Sequence, residues 1–233
     1  ADEHLVEIGP GKGALTEALI SSGCTLDVIE LDRDLVPGLL AAFSLKPGFR
    51  LHSGDVLDFD FPSLLDGTPE SDDSLRVVGN LPYNISTPLL FKLLEHGAII
   101  RDMHFMLQLE VVERLAAAPG SKNWGRLGIM SQYHCLVENL FEVPPEAFSP
   151  RPKVQSAIVR LTPHRESPWA GCDEDTLRRI VQASFAQRRK TLRNNLKGFI
   201  DDSRLRELGI DPGARAETLE LARFIDIANA IHA

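Results

Sequence analysis

The sequence is poor in the residues that build disulfide frames and membrane spans. It has 3 cysteines in 233 residues, Cys24, Cys135 and Cys172, which are widely spaced and form no CxxC pair. An odd number of isolated cysteines predicts free thiols in a reducing compartment. No apolar run approaches the roughly 20 residues that a membrane-spanning helix needs, and the acidic start of the sequence carries no cationic leader of the secretory type. We therefore expect a cytoplasmic protein without a membrane partner.

Charge is unevenly distributed along the chain. The formal net charge is -8, from 25 Lys+Arg and 33 Asp+Glu. Residues 1–149 contain 10 basic and 22 acidic side chains, whereas residues 150–206 contain 13 basic and 6 acidic ones. A basic segment attached to an acidic body predicts binding of a polyanion such as a nucleic acid.

The first half of the chain alternates short apolar runs with amphipathic stretches. Apolar residues at i, i+3 and i+4 predict helices over Ala14–Ser22 and Thr87–His96. The alternation of strand and helix predicts an α/β fold with a doubly wound, mainly parallel sheet, whose ligands bind at the carboxyl ends of the strands. The five predicted strands are Leu5–Ile8, Thr25–Glu30, Phe49–His52, Arg76–Gly79 and Met103–Leu107.

The middle of the chain continues this mixed pattern. Polar, turn-rich residues 66–74 predict a surface loop. A predicted helix over Leu127–Leu136 is followed by two strands, Phe141–Pro145 and Val154–Leu161. These two strands bracket the proline-rich Phe148–Lys153.

The last part of the chain has a purely helical pattern. We therefore predict two domains, an α/β domain of residues 1–165 and a small all-helical domain of residues 166–233. The predicted helices of the second domain are Asp173–Ala186, Lys190–Phe199, Ser203–Leu208 and Thr218–Ile231.

A glycine-rich turn lies between the first predicted strand and the first helix. Gly9, Gly11 and Gly13 let the backbone turn sharply and approach a ligand closely. Gly9, Gly11 and Ala14 also fit the dinucleotide fingerprint G-x-G-x-x-A. The motif predicts a nucleotide-like cofactor, and a purely structural tight turn is the alternative.

Acidic residues end the second and third predicted strands. Glu30 stands where a carboxylate would bind both hydroxyls of a ribose, and its charge disfavours the 2′-phosphate of NADP. The alternative is that Glu30 belongs to a solvated loop with Asp32 and Asp34. Gly54 and Asp55 close the third strand, and Asp55 would accept a hydrogen bond from the adenine amino group if the cofactor is adenosyl-based.

The stretch Asn80-Leu81-Pro82-Tyr83 ends the fourth predicted strand. The lone pair of an exocyclic amine such as adenine N6 is delocalised into the ring, so the amine is a poor nucleophile until acceptors hold its hydrogens. The Asn80 side chain and the carbonyl of Leu81 or Pro82 can be those acceptors, and Tyr83 can stack on the base. The structural alternative is a turn-forming Asn and a core Tyr.

Together these motifs resemble the S-adenosylmethionine-dependent rRNA adenine N6-dimethyltransferases, and among them the small-subunit (16S) enzymes. The resemblance spans roughly residues 5–230. It rests on Glu7-x-Gly9-x-Gly11-x-Gly13, Glu30-Leu31-Asp32, Gly54-Asp55, Asn80-Leu81-Pro82-Tyr83, Gln108-Leu109-Glu110-Val111-Val112-Glu113-Arg114, Gly125-Arg126-Leu127, Val143-Pro144-Pro145-x-x-Phe148-x-Pro150-x-Pro152-Lys153-Val154-x-Ser156-Ala157 and Phe185-x-Gln187-Arg188-Arg189-Lys190-Thr191-x-Arg193-Asn194.

The resemblance implies a Rossmann-like methyltransferase fold, S-adenosylmethionine as methyl donor, S-adenosylhomocysteine as product and no metal. It implies that the methyl passes directly to N6 of two adjacent adenosines in a hairpin near the 3′ end of 16S rRNA. The implied cofactor residues are Glu7, Gly9, Gly11, Gly13, Glu30, Leu31, Asp55, Val56 and Asn80. The implied catalytic residues, which hold the target base, are Asn80, Leu81, Pro82, Tyr83 and Phe148.

The partner that the resemblance implies is 16S rRNA within an assembling small ribosomal subunit, with the enzyme acting as a monomer. Basic residues largely at helical spacing would bind RNA phosphates, which gives affinity and orientation without reading bases. A solvated helix face is the alternative. The implied RNA-binding residues are Arg151, Lys153, Arg188, Arg189, Lys190 and Arg193, with Arg178, Arg179 and Lys197 alongside.

The family also carries an N-terminal segment with a Gln-Asn-Phe-Leu-like string that folds over the cofactor and the base. This sequence begins at the first strand, so we expect an incomplete pocket and weak cofactor binding for the chain as given. Three other functions stay open at this point. They are a binding module that inspects assembling subunits, a nicotinamide dehydrogenase suggested by the glycine turn, and the large-subunit rRNA methyltransferase that confers antibiotic resistance.

Overall fold

A computed structural model of the protein describes most of the chain. The described residues are 3–65, 75–82, 85–148, 151–169 and 171–232. The predicted surface loop at residues 66–74 and the predicted base-stacking residue Tyr83 lie outside these ranges.

The chain folds into two compact units. The first is formed by Ala1–Val112 and Leu136–Arg165, and the second by Glu113–Cys135 and Glu166–Ala233. The sequence places residues 113–135 in the α/β domain, whereas in the structure they join the helical unit. Hydrogen bonds explain the difference, because the buried Trp124 indole donates to the Leu219 carbonyl at 2.8 Å and the Gly120 amide donates to the Glu217 carbonyl at 2.7 Å.

The first unit is built on a seven-stranded sheet of order β3-β2-β1-β4-β5-β7-β6. Strands β1 to β5 pair in parallel, and β7 runs antiparallel to β5. The predicted mainly parallel, doubly wound α/β fold is thereby confirmed. The strands are β1 (His4–Ile8), β2 (Thr25–Glu30), β3 (Phe49–Ser53), β4 (Leu75–Asn80), β5 (Ile100–Gln108), β6 (Cys135–Val143) and β7 (Ser156–Pro163).

The helices follow the same alternation in the first half of the chain. Each crossover between parallel strands up to β5 carries a helix or a 3-10 turn, as right-handed β-α-β units require. The helices are α1 (Ala14–Ile20), α2 (Val36–Phe43), α3 (Ser86–Glu95), α4 (Leu109–Leu115), α5 (Arg126–His134), α6 (Glu174–Ser184), α7 (Leu192–Asn195), α8 (Asp202–Glu207) and α9 (Leu221–His232). The 3-10 turns are Phe61–Leu65, Pro145–Ala147 and Ala216–Thr218.

Most predicted elements differ from the structure by a few residues at their ends, and three differ more: the helix predicted over Leu127–Leu136, the strand predicted over Phe141–Pro145 and the helix predicted over Lys190–Phe199. The helix predicted over Leu127–Leu136 ends at His134, because Cys135 has the extended backbone that begins β6. β6 then ends at Val143, before Pro144, which has no N–H to donate to a sheet. The helix predicted to start at Lys190 covers only α7, and helices α2 and α4 were not predicted.

Each unit has its own apolar core. In the first unit, the side chains of Val6, Leu26 and Val28 on the central strands are fully buried, as are Leu89 and Leu93 of α3. Burial of each such side chain contributes about 1.5–3 kcal/mol. In the second unit α6 and α9 pack against each other. Within the described ranges, no helix has the length and apolarity to cross a bilayer.

Candidate functional site

The strand order brings the predicted cofactor and base motifs to one edge of the sheet. Strand β1 lies between β2 and β4, with Ile8 opposite both Ile29 and Gly79. Neighbouring strands are about 4.8 Å apart. The carboxyl ends of β3, β2, β1 and β4 therefore lie side by side at this edge, in that order. The strand order reverses between β1 and β4, which is where open α/β sheets form their ligand crevice.

The glycines at the end of β1 have two different roles. Gly9 and Gly11 have φ angles of 66° and 58°, which favour glycine, and a Cβ at either position would meet no described atom within 4 Å. Gly13 has φ 87°, and a Cβ there would lie 2.6 Å from the ring of Phe43. Gly9 and Gly11 thus leave open space for a ligand, whereas the glycine at position 13 is explained by the packing of α2.

Glu7 is the buried acid of this edge. Its side chain is on β1 with 1% exposure, and the Thr16 hydroxyl of α1 donates to its Oε2 at 2.6 Å. Burial raises the pKa of Glu7 from 4.5 to about 7, the Thr16 hydrogen bond opposes this rise, and the negative charge of Glu30 adds to it. The Glu7 carboxyl therefore changes charge near neutral pH. The role of Thr16 as a partner of Glu7 was not predicted from the sequence. A polar residue on the apolar face of a predicted helix could have indicated a buried hydrogen bond.

Glu30 is the last residue of β2, and one of its carboxylate oxygens already accepts a hydrogen bond. The Asp32 N–H donates to Glu30 Oε1 at 2.8 Å, and the side chain is 6% exposed. The Glu30 carbonyl accepts from the Gly54 N–H at 2.9 Å, which ties the end of β2 to the end of β3. The adjacent Leu31 is 64% exposed. An exposed apolar side chain beside a held carboxylate can contact a nucleoside.

The turn after β3 holds Asp55 in a defined position. Asp55 is exposed, and its Oδ1 accepts from the Leu57 N–H at 2.9 Å. Val56 between them is buried and anchors the turn in the core. No residue in the described ranges donates to Asp55 Oδ2, which is therefore available for a hydrogen-bond donor of a ligand.

The turn after β4 exposes Asn80. Asn80 lies opposite Met106 of β5, and the next residue, Leu81, donates its N–H to the Met106 carbonyl at 3.3 Å. Leu81 is buried, whereas Asn80 and Pro82 are exposed. The buried leucine fixes the turn, so the amide of Asn80 is presented to solvent at the edge that carries Gly9.

The loop that carries Phe148 arrives at the same edge. Because β7 is antiparallel to β5, the start of β7 at Ser156 lies beside the end of β5 at Gln108. The Leu109 N–H donates to the Gln155 carbonyl at 2.9 Å and joins the two ends. Phe148 is half-buried in this loop. Arg151 of the loop is paired with Glu146, and Lys153 is exposed.

The basic cluster of the helical unit, residues 188–190, lies in a turn. Arg188, Arg189 and Lys190 connect α6 to α7, and of these three residues only Lys190 was predicted to lie in a helix, which in the structure begins at Leu192. The Arg188 guanidinium donates to the Lys122 carbonyl at 2.6 Å and pairs with Glu217 at 3.3 Å. These two contacts hold the turn against the 3-10 turn at Ala216–Thr218 and the segment that contains Lys122.

The remaining cations of this region differ in their contacts. Arg193 pairs with Asp202 at 2.6 Å. Arg189, Lys190 and Lys197 are exposed and make no ion pair within the part of the chain that the structure describes. No group of three or more His, Cys, Asp or Glu side chains in that same part is arranged to hold a metal ion.

We predict that Glu7→Gln changes how stability depends on pH. The folded-state pKa of Glu7 lies above its unfolded value, so the folded protein binds more protons and stability falls as pH rises from about 4.5 to about 7. In the variant this fall is removed. Relative to the parent, the variant should therefore gain up to roughly 3 kcal/mol of unfolding free energy across that window, with no further gain above it. Urea denaturation at several pH values measures the difference.

The matched control is Glu17→Gln, which neutralises an exposed carboxylate on the same helix as Thr16. Its stability difference from the parent should stay nearly constant over the same pH range. A constant difference for Glu7→Gln as well would show that the Glu7 carboxyl is not perturbed.

Comparison with known proteins gives one consistent result. The sequence matches the family Ribosomal RNA adenine dimethylase over residues 1–233. It is 58% identical to the Ribosomal RNA small subunit methyltransferase A of Pseudomonas putida over 231 residues, which is 99% of this chain and 85% of that protein. It is 59% identical to the protein of the same name from Pseudomonas aeruginosa over 229 residues, 98% of this chain and 84% of that protein.

Solved structures give the same fold. A dimethyladenosine transferase from Plasmodium falciparum superposes with a TM-score of 0.79 at 24% identity, covering 97% of this chain and 88% of that one. The 23S rRNA methyltransferase ErmE superposes with a TM-score of 0.75 at 23% identity, covering 100% of this chain and 92% of that one. At these identities the likeness concerns the fold.

Proposed function

The chain belongs to the Ribosomal RNA adenine dimethylase family, and from that premise we propose that it methylates N6 of two adjacent adenosines in a 3′-terminal hairpin of 16S rRNA. It is an rRNA methyltransferase of the small-subunit class, and its family implies S-adenosylmethionine as methyl donor. We place its action on an assembling small subunit in the cytoplasm, with the enzyme acting as a monomer.

The exposed Asn80 at the end of β4 is the observation that carries this proposal. It lies one strand away from the open glycine turn, across the point where the strand order reverses. A methyl donor bound at the glycine turn and an amine bound at Asn80 would then be neighbours. Acceptors at this place suit an exocyclic amine, whereas the alternative of a nicotinamide dehydrogenase rests on the glycine turn alone.

The ends of three neighbouring strands, β1, β2 and β3, fit an extended adenosyl cofactor. The open space above Gly9 and Gly11 accepts the methionine part, Glu30 lies one strand further for the ribose, and Asp55 one strand further again for the adenine. Two strand spacings correspond to about 10 Å. Leu31 and Val56 would border the adenosine. When bound, S-adenosylmethionine supplies an electrophilic sulfonium methyl group.

Glu7 would contribute charge to the same site. The cofactor carries a positive sulfonium and a positive ammonium group, and a cation near the buried Glu7 carboxylate favours its ionised form. Cofactor binding would therefore release a proton from Glu7 near neutral pH.

The target base would be held by the turn after β4 and the loop before β7. The Asn80 side-chain oxygen and the Leu81 or Pro82 carbonyl would accept hydrogen bonds from N6, which localises the nitrogen lone pair towards the methyl. Tyr83 and Phe148 would stack on the two faces of the base. Alignment of N6 with the methyl group then does most of the catalysis. After transfer, the methylated N6 is a positively charged ammonium group, which loses its proton readily without a strong base.

The product of the reaction tests this function. Small subunits isolated without their N6-dimethyladenosines, incubated with the enzyme and methyl-labelled S-adenosylmethionine, should acquire up to four methyl groups per particle, on two adjacent adenosines near the 3′ end of 16S rRNA. Nuclease digestion and mass spectrometry locate the label. Binding of the particle without incorporation would support the alternative of an inspection module. Label in 23S rRNA alone would support the large-subunit alternative.

A further inference from the structure

Lys92 is a basic residue on the half-buried face of α3, outside every motif that carries the proposed chemistry. Its ammonium donates to the Leu57 carbonyl at 2.5 Å. Leu57 lies in the turn after β3, 35 residues earlier in the chain. This contact joins α3 to the turn that holds Asp55.

Leu57 is held at both of its backbone polar groups. Its N–H donates to Asp55 Oδ1 at 2.9 Å and its carbonyl accepts from Lys92. Two further turn bonds close the segment, from the Asp58 N–H to the Asp55 carbonyl at 3.1 Å and from the Phe59 N–H to the Val56 carbonyl at 3.3 Å. These two groups belong to successive peptide units joined at the Leu57 Cα, so the contact with Lys92 restrains the backbone of Leu57 and, through it, the N–H that donates to Asp55.

The helix that carries Lys92 is a rigid support. Leu89, Leu90 and Leu93 of the same helix are fully buried. α3 also begins directly after the turn of Asn80, where the Ile85 N–H donates to the Pro82 carbonyl at 3.2 Å. One helix thus contacts the adenine end of the proposed cofactor site and follows the proposed base site.

We propose that Lys92 is a positioning residue for the cofactor adenine, acting through Leu57 on Asp55. The inference rests on the proposed role of Asp55 and adds a residue to it. Without the ammonium, the Leu57 carbonyl loses its charged donor, the backbone on both sides of the Leu57 Cα is less restrained, and the N–H that holds Asp55 Oδ1 is no longer fixed in place.

The test uses Lys92→Met, which keeps the length and apolar packing of the side chain without its charge. We expect the dissociation constant for S-adenosylhomocysteine, measured by titration calorimetry, to rise about tenfold, as for loss of one charge-assisted hydrogen bond. With saturating cofactor, kcat should stay close to that of the parent, so the loss appears in KM for the cofactor. Lys92→Arg should restore most of the affinity, because a guanidinium can also donate to the carbonyl.

A cofactor analogue separates positioning from general damage. S-adenosylhomocysteine with hydrogen in place of the 6-amino group cannot donate to Asp55, so the parent and Lys92→Met should bind it equally. An equal loss for both ligands would overturn the proposal, since the effect would then not pass through Asp55. Lys46→Met, at an exposed lysine of the same unit, is the control and should bind like the parent.

Asp55→Ala distinguishes failure of this inference from failure of the proposed site. If Asp55→Ala weakens binding of S-adenosylhomocysteine and Lys92→Met does not, Lys92 has no positioning role and the adenine site stands. If neither substitution changes the dissociation constant, the adenine does not bind at Asp55, and the assignment of that part of the cofactor site is wrong.

Discussion

Replacing Asn80 with alanine should lower kcat for methyl transfer by about 10²- to 10³-fold while leaving the dissociation constant for S-adenosylhomocysteine largely unchanged. The variant keeps the buried Leu81 and its hydrogen bond to Met106, so the turn persists and only the side-chain acceptor is lost. The N6 lone pair would then stay delocalised into the adenine ring. Single-turnover transfer to unmethylated small subunits, with saturating cofactor, measures the chemical step.

Two further measurements show whether the loss of activity in Asn80→Ala comes from the missing acceptor or from a less stable fold. Asn80→Asp keeps an acceptor oxygen at the same place, so it should retain more activity than Asn80→Ala. Because Asn80 is exposed, both variants should unfold at nearly the temperature of the parent. Full kcat for Asn80→Ala would remove this residue from the catalytic site.

The position of the site could be predicted because strand ends carry recognisable residues. Glycines, acids and an Asn-Leu-Pro turn each follow a short apolar run, and parallel strands place all their carboxyl ends on one edge. The predicted strand Thr25–Glu30 has the same bounds as β2, and the other strands of the parallel part differ by at most a few residues at either end.

Contacts between distant segments could not be predicted from spacing. The hydrogen bond from Thr16 to Glu7 depends on how α1 packs on β1, and the contact of Lys92 with Leu57 joins two crossovers. Such contacts depend on tertiary packing, which local periodicity does not encode. The glycine at position 13 is a similar case, because its fit against Phe43 is visible only in three dimensions.

The count of charges along the sequence located the basic region, but it could not show which of the basic side chains form ion pairs. The sequence treats Arg188, Arg189, Lys190 and Arg193 as equivalent, whereas the structure pairs Arg188 with Glu217 and Arg193 with Asp202. Ion pairs at such exposed positions are worth about 0–1 kcal/mol, so they weaken phosphate binding without preventing it. The cations without an ion-pair partner among the described residues are therefore expected to contribute most to RNA affinity.

The combined substitution Arg189→Ala, Lys190→Ala and Lys197→Ala should reduce the salt dependence of RNA binding by about 2 to 3 units of the slope of log K against log salt concentration. Each phosphate contact releases close to one condensed counterion, and these three cations make no ion pair that the structure describes. If parent and variant converge at 1 M salt, this slope change corresponds to an affinity loss on the order of 10²-fold at 0.1 M. Filter binding of the small-subunit particle over a range of salt concentrations measures both quantities.

The matched control removes three arginines of the same unit that the structure holds in ion pairs. Arg204 and Arg223 pair with Glu207 and Asp226, and Arg206 lies 3.9 Å from Asp202, which also pairs with Arg193. Their combined replacement by alanine lowers the net charge by the same amount, so a slope that depended on overall charge alone would fall equally. We expect a smaller change for this control, because each replaced guanidinium lies beside a carboxylate that offsets part of its charge. Equal slopes for the two triple variants would mean that RNA responds to the total charge of the helical unit and that the turn between α6 and α7 has no specific part in binding.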